Sequence, residues 1–490
     1  MITILKNRAG PFSWPFAGLS WAGLFAVLAA FFLGLLFVRL PLSLSASLIA
    51  GIFVVLLIIA QPLFGIALAL LAGPFGALEE LVFGISSLDS GKVILILTLM
   101  SWLGRGLIRR RIAMPRVQLI LPLMLFILTG LVSLLDAVSI ISGLTELLKW
   151  LEIALIMMLV VDLGQENSLY FKEKVRRSII GGPSITIWLV GMLLLAGLSQ
   201  ALIGIWQFAL RGDGPEHFLV LDRFYRAYGT YEQPNPFGGF MNLSVLLVLG
   251  ILIGLLISLW LCWRSRSQTE NKEFGPTSGR RIFWITLLAA LVTIITGLGL
   301  LFSWSRGAWL GFAAGLAAML LFLPRKRVYG VLLVGIVISV VVIAFGAGLL
   351  PGAISARITS FTQDLTLGDV RGVDINDENY SVLERQAHWQ AGLEMFGDDV
   401  LLGVGFGNFG EAYEDYALLN WPDALGHAHN YYVNLLAEVG LLGLTTYMIF
   451  WAVVMWQTIN LLRVLPWPDR GSVLGLLSVW IAIAAVSYTH

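Results

Sequence analysis

"GHAHNYYVNLLAEVGLLGL", residues 426–444, sets two histidines and two asparagines at the mouth of an apolar helix, with a glutamate buried deeper among leucines. The apolar character runs on from 431 to about 457. Crossing a bilayer takes ~20 mostly apolar residues, so this stretch reads as a membrane span. Polar groups on such a helix are costly against lipid and should face the interior of a bundle. At helical spacing Asn430, Asn434 and Glu438 form one stripe. Gly440 and Gly443 return to nearly the face of His429. That small-residue strip suits either close approach of another helix or a lipid tail, and the sequence leaves both open.

The whole chain agrees with that reading. Of 490 residues, 58% are hydrophobic and 12% charged, with mean hydropathy +0.87. Soluble domains carry roughly 25% charged residues, so the expectation is an all-α polytopic membrane protein. The net charge of +1 gives no sign of nucleic-acid binding. A single cysteine, Cys262, excludes an intrachain disulfide and a thiolate zinc cluster. The basic N-terminus "MITILKNRAG" precedes an apolar run too long for a signal-peptide core, so it reads as the first span.

Spans are expected near 16–38, 42–60, 62–79, 92–104, 117–135, 143–162, 183–209, 237–262, 282–302, 307–323, 328–349, 431–457 and 471–487, about 12–14 in all. This count places the basic runs at 105–116, 172–177, 264–281 and 324–327 on one side with the N-terminus. The positive-inside rule makes that side cytoplasmic. The outer side then receives "RGDGPEHFLVLDRFYRAYGTYEQPNPFGG" (211–239), the corner "SWSRGAW" (303–309) and a long acidic segment of roughly 350–430. Within the last, "YSVLERQAHWQAGLEMF" spaces Val382, Ala387, Trp389, Gly392, Leu393 and Phe396 roughly as one helical face. A short amphipathic helix on the membrane surface is expected there.

The outer side also receives all five histidines: His217, His388, His427, His429 and His490. Arg226 and Arg306 sit where apolar helices meet that surface, and Arg385 lies in the surface helix. Snorkelling to headgroups accounts for a lone arginine. For Arg306, on a corner of Ser, Gly and Trp with no nearby acid in sequence, an anionic ligand is the sharper reading. His427 and His429 are too few for zinc, which needs three or four ligands. His217, His388 and the neighbouring acids lack ligand spacing, and no outer D-x-D pair offers a magnesium site. A structural role is one reading of the pair. The other is a general base, because imidazole titrates near neutral pH.

"HNYYVNLLAEVGLLG" (429–443) fits the pattern H-[NSQ]-x9-G-x-x-[GTY] of the O-antigen ligase and O-antigen polymerase superfamily, with matches at His429, Asn430, Gly440 and Gly443. "SWSRGAWLGF" (303–312) resembles that superfamily's S-R-[GS]-x-W-L corner, and "YRAYGTYEQPNPFGGF" (225–240) is similar to its R-x-x-G-T-x-x-x-P-N segment. "SVLERQAHWQAGLEMF" through "LLGVGFGNF" (381–409) resembles the stretch before the catalytic histidine. The resemblance covers roughly 180 to 460, in order. It implies a GT-C-like membrane glycosyltransferase, with a large extracytoplasmic loop before the late helix carrying the catalytic histidine. The donor would be a polyprenyl-diphosphate-linked glycan held among membrane lipids, and the acceptor a hydroxyl of a glycan, lipid or protein. No metal or other cofactor would be needed.

Carried onto this chain, the resemblance makes His429 the base, with His427 as a possible helper and Asn430 and Glu438 as supporting residues. Arg226, Arg306 and Arg385 would hold the diphosphate, whose oxygens match guanidinium forks. The expected organisation is N-terminal spans at 1–180, a catalytic region at 181–470 with outer loops 211–236 and 350–430, and a last span at 471–490 with a further helix expected beyond it. The expected location is the inner (plasma) membrane, with the site on the extracytoplasmic side. A protein O-oligosaccharyltransferase of the same superfamily would share these motifs. A glycolipid transporter or flippase is the alternative from another class. It should show Gly/Pro-broken spans in matching halves, and no such pairing is found. Its other candidates, Glu146, Lys149 and Glu152, can satisfy one another on one helix.

Overall fold

The computed structural model describes residues 41–83, 89–109, 117–172, 185–266, 276–363, 369–376 and 379–486. The span expected at 16–38, most of the orienting basic runs, and His490 lie outside the described residues. Residues 1–62 form one unit, whose described helix is α1 (Leu42–Ala60). It is apolar on every side, as a lipid-facing span requires.

The second unit, residues 63–490, carries everything below. In chain order its helices are α2 (Pro62–Ala72), α3 (Gly76–Phe83), α4 (Ser90–Ile108), α5 (Ile120–Val132), α6 (Ile140–Lys172), α7 (Ile185–Ala209), α8 (Pro234–Arg266), α9 (Pro276–Phe302), α10 (Arg306–Phe322), α11 (Arg327–Gly346), α12 (Gly352–Gln363), α13 (Tyr380–Asp398), α14 (Phe409–Tyr416), α15 (Tyr431–Val464) and α16 (Asp469–Ala485). A two-stranded antiparallel hairpin, β1 (Leu219–Val220) with β2 (Phe224–Tyr225), lies between α7 and α8. Among the described residues eight helices are long and apolar enough to cross a membrane, fewer than the sequence count of about 12–14. The difference comes partly from short apolar helices such as 120–136 and 306–322.

Local chemistry sets the ends. The Asp89 carboxylate accepts from the Lys92 amide at 2.8 Å, so α4 starts earlier than the apolar pattern and runs 19 residues rather than the expected 92–104. α6 extends well past 143–162, and polar residues within that expected span are satisfied. Lys149 pairs with Glu146 at 2.7 Å, and Asp162 accepts from the Trp102 indole at 2.8 Å.

The bundle closes on a glycine contact. A Cβ on Gly250 would lie 2.4 Å from the Gly475 nitrogen, and one on Gly471 would lie 2.5 Å from the Gly250 carbonyl oxygen. Gly250 and Gly254 of α8 thus meet Gly471 and Gly475 of α16 backbone to backbone, the small-residue contact typical of membrane helices. Phe237, Met241, Leu246, Met319 and Leu477 fill the core beside it.

α13 forms where the helical spacing predicts, and one of its faces packs into protein. Leu383, Ala387, His388, Ala391 and Met395 are buried, while Leu393, grouped by the helical spacing with Ala387 and Gly392, is 50% exposed. The packing partners set which residues are buried. Gly392 sits against Val433 and Ala437 of α15, and Ala391 and Met395 join Phe409 and Tyr413 of α14 in one core.

Candidate active site

The corner between α9 and α10 is built by a serine cap and a strained tryptophan. The Ser305 hydroxyl accepts from the Ala308 amide at 3.4 Å and donates to Asn235 Oδ1 at 2.8 Å. Trp304 takes φ of 52°, a left-handed conformation costing on the order of 1–3 kcal/mol and tolerated where the surroundings over-determine it. Two guanidinium groups then reach consecutive carbonyls. Arg226 Nε donates to Ser303 O at 3.0 Å, and Arg357 Nη2 donates to Trp304 O at 3.2 Å. Arg226 Nη2 also donates to Asn235 at 3.4 Å. Arg306 opens the next helix, so three arginines from three chain segments gather at one corner. The sequence reading named Arg226 and Arg306. It missed Arg357, whose signal, a basic residue on a short helix soon after a span, is too common to stand out.

The segment carrying Arg226 is held from below by buried glutamines of α7. Gln207 Oε1 accepts from the amides of Tyr228 (3.0 Å) and Gly229 (2.7 Å), while its Nε2 donates to Gly229 O at 2.7 Å. Gln200 Oε1 accepts from the Thr230 amide at 3.0 Å, and the Thr230 hydroxyl donates to Pro74 O. Burial also pushes the Tyr231 phenol well above the ordinary tyrosine range. The sequence reading did not single out these glutamines, although a Gln pair seven residues apart on one apolar helix face was a usable signal.

At the other motif the polar stripe points inward, as its spacing implied, and each member holds backbone. Asn430 caps α15, accepting from the amides of Tyr432 (3.1 Å) and Val433 (3.4 Å). Asn434 accepts at 3.0 Å from the amide of Ala428, the residue between the two histidines. Glu438, 5% exposed, accepts from the amides of Gly407 (3.0 Å) and Phe409 (3.2 Å). The loop so held is also tied to the α5–α6 turn, where Ser133 Oγ accepts from the Phe406 amide at 3.1 Å and Asn408 Oδ1 accepts from the Ser139 amide at 2.6 Å.

Of the two glycines of this motif, Gly440 meets loop backbone rather than a neighbouring helix. Gly440 breaks α15 with φ 59° and ψ −161°, a conformation essentially reserved for glycine. A Cβ there would lie 2.3 Å from the carbonyl carbon of Leu401. Across the break, Leu441 N donates to Val400 O at 2.8 Å and Val404 N to Ala437 O at 2.9 Å. The three atoms nearest a Cβ on Gly443 all belong to Val439 of its own helix, the first at 2.1 Å.

The histidines cluster. His429, itself left-handed at φ 53°, lies edge-on to buried His388 at 5.4 Å and 4.4 Å from His427. His388 has Nδ1 2.7 Å from Glu384 O and Nε2 3.1 Å from Asp423 O, which ties α13 to the histidine loop. His388 also stacks on Tyr413 at 4.8 Å. Burial pushes the Tyr413 phenol up to about 12, with Glu384 and Asp423 adding to the shift. A cavity of about 1060 Å³ opens beside them, lined by His427, Glu438, Glu146, Lys149, Met448 and Trp451 among others. His427 lines this cavity, and the lining does not include His429.

The end of α16 links the two motifs. Tyr432 donates to Ala484 O at 3.0 Å, and Ala484 and Val486 line the cavity. On the other side a Cβ on Gly311, in the second turn of α10 after Arg306, would lie 2.8 Å from Val486. The arginine corner and the histidine mouth therefore flank one helix end. Arg385 is on α13 with His388. His217 lies by the hairpin, edge-on to Phe218 at 4.2 Å.

The O-antigen ligase family model matches residues 291–448, from within α9 into α15. That stretch contains Arg306, Arg357, Arg385, His427, His429, Asn430 and Glu438. It supports the O-antigen ligase and polymerase superfamily for this part of the chain. No curated protein matches the chain.

Proposed function

We propose that this membrane protein, whose match at 291–448 supports a cell-surface polysaccharide enzyme family, transfers a polyprenyl-diphosphate-linked glycan to an acceptor hydroxyl. The observation that carries the reading is the pairing of an arginine corner with a histidine mouth across the end of α16. In the proposed reaction the acceptor oxygen attacks the anomeric carbon and inverts it. The bond to the diphosphate oxygen breaks, and its electron pair leaves with the polyprenyl diphosphate. His429 takes the hydroxyl proton as general base. Arg226 and Arg306 offset the growing phosphate charge through preorganised electrostatics, and Arg385 contacts donor or acceptor.

In this reading the supporting polar residues act through geometry. Asn430 and Asn434 fix the backbone on either side of His429, and Glu438 fixes the loop that lines the cavity. His427 lines the cavity and is the rival for the base. The reaction as written needs no divalent metal.

The test uses purified protein with a polyprenyl-diphosphate glycan and a hydroxyl acceptor, with and without chelator. Loss of transfer in His429→Ala, with His427→Ala retaining most of it, is the expected result. Loss in His427→Ala alone would move the base to that residue. Transfer abolished by chelator would overturn the metal-free reaction.

A further inference from the structure

A second charged cluster lies at the other end of the bundle. α10 and α16 run antiparallel, with Gly315 against Ser478 and Ala482, so the residues that follow α10 meet the start of α16 far from the histidine mouth. There Arg470 donates to Phe322 O at 3.4 Å and to Leu323 O at 3.3 Å, with its guanidinium 5.2 Å from the Trp467 ring centroid. Arg327 donates to Leu321 O at 3.4 Å and lies 4.1 Å over the Phe322 ring. Arg325 and Arg327 are close enough to repel Arg470, and Arg463 to repel Arg327.

Cations at helix C-terminal carbonyls are ordinary, and one guanidinium would satisfy this terminus. Four arginines from two turns exceed that need. Arg470 is only 7% exposed, and its Nε is buried with no hydrogen-bond partner. Among the described residues no carboxylate forms an ion pair with any of the four, including the exposed Asp469 in the same turn. Beside them Val328, Tyr329 and Val464 are 69%, 56% and 74% exposed, an apolar and aromatic rim continuous with the cluster.

We propose that the turns at 323–327 and 463–470 form a headgroup site for an anionic phospholipid. Its phosphate is bound by Arg470 and Arg327, with Arg325 and Arg463 at the rim, and its acyl chains run along the Val328–Tyr329 face. A phosphate diester supplies the acceptor oxygens and the negative charge that the cluster lacks, in the geometry a guanidinium fork recognises. Basic pockets between membrane helices are where such headgroups bind. The site is separate from the transfer chemistry and does not depend on it.

The test is native mass spectrometry of the full chain in neutral detergent, with phosphatidylglycerol, phosphatidylcholine of the same acyl chains, and inorganic phosphate as probes. The expected result is retention of phosphatidylglycerol on the order of tenfold above phosphatidylcholine. Retention should fall to the phosphatidylcholine level in the double variant Arg325→Gln/Arg463→Gln, whose sites are exposed and whose fold is checked by its melting temperature. Arg470→Lys should retain more than Arg470→Gln. Equal retention of the two lipids by the wild type would overturn the proposal, as would a double variant that binds like wild type. Millimolar inorganic phosphate that raises the melting temperature while phosphatidylglycerol adds nothing would also overturn it, in favour of a soluble anion.

Discussion

The Glu438 carboxylate accepts the backbone amide of Gly407 at 3.0 Å, and through it α15 holds the loop that lines the cavity. A buried amide left without a partner costs roughly 1–3 kcal/mol. Glu438→Ala strands this amide and that of Phe409. It should lower the melting temperature and the transfer rate together, while Glu438→Gln, which keeps an acceptor, loses less of both. Paired melting and activity measurements check it. A melting temperature unchanged in Glu438→Ala would show that the loop is held elsewhere.

Arg357 and Arg226 reach adjacent carbonyls of one corner, Trp304 O and Ser303 O. If the corner binds the leaving diphosphate, Arg357→Gln should reduce kcat on the order of 10²–10³-fold, as loss of one preorganised donor does. The melting temperature should move little, because Arg357 is only partly buried. Steady-state kinetics on the purified variant separate this from a folding defect.

Gly440 and Gly443 should differ. Gly440→Ala puts a Cβ 2.3 Å from Leu401 backbone on a residue at φ 59°, where neither strain nor contact can relax. Gly443→Ala has a Val439 side chain, not backbone, as its nearest neighbour. Expression and monodispersity in detergent should fall much further for Gly440→Ala. The reverse order would contradict the break in α15.

At the α8–α16 contact, Gly475→Ala places a methyl group 2.8 Å from Leu247 O and forces two backbones apart. Overpacking of this kind typically costs about 1–3 kcal/mol. A lower melting temperature is expected, larger still for Gly475→Val. Gly51→Ala, with nothing within 4 Å of its added methyl group, serves as the control.

Tyr413 and Tyr416 are both pushed up to about 12, mainly by burial. Unfolded tyrosine titrates near 10. A raised pKa in the folded state means that stability is complete below pH ~10 and is lost as pH rises from 10 towards 12. Phenolate absorbance should show late-titrating tyrosines, and the melting temperature should fall across that window. Tyr413→Phe should flatten part of the fall. Titration of every tyrosine near pH ~10 would contradict the packing of α13 on α14.

The grain of the sequence predicted these features unevenly. Asn430, Asn434 and Glu438 were legible as a buried stripe because helical periodicity is a local property. What each of them holds was not, since Ala428, Gly407 and Phe409 are reached through loops without periodicity. The helix at α13 was legible from its spacing, but which of its residues are buried was not, because its partners in α14 and α15 decide that.

The sequence by itself determined that the chain is a bundle of apolar helices, where α15 begins, and that Arg226, Arg306 and the histidine pair lie in stretches that resemble motifs of one superfamily. These follow from composition, capping residues and spacing along the chain. Only the tertiary structure decided that Arg357 joins Arg226 at the corner, that His388 backs His429, and that the end of α16 stands between the corner and the histidine mouth. Contacts between residues distant in sequence depend on which glycines let backbones touch and which carboxamides and carboxylates catch a passing amide. That choice is made by packing, not by any local pattern.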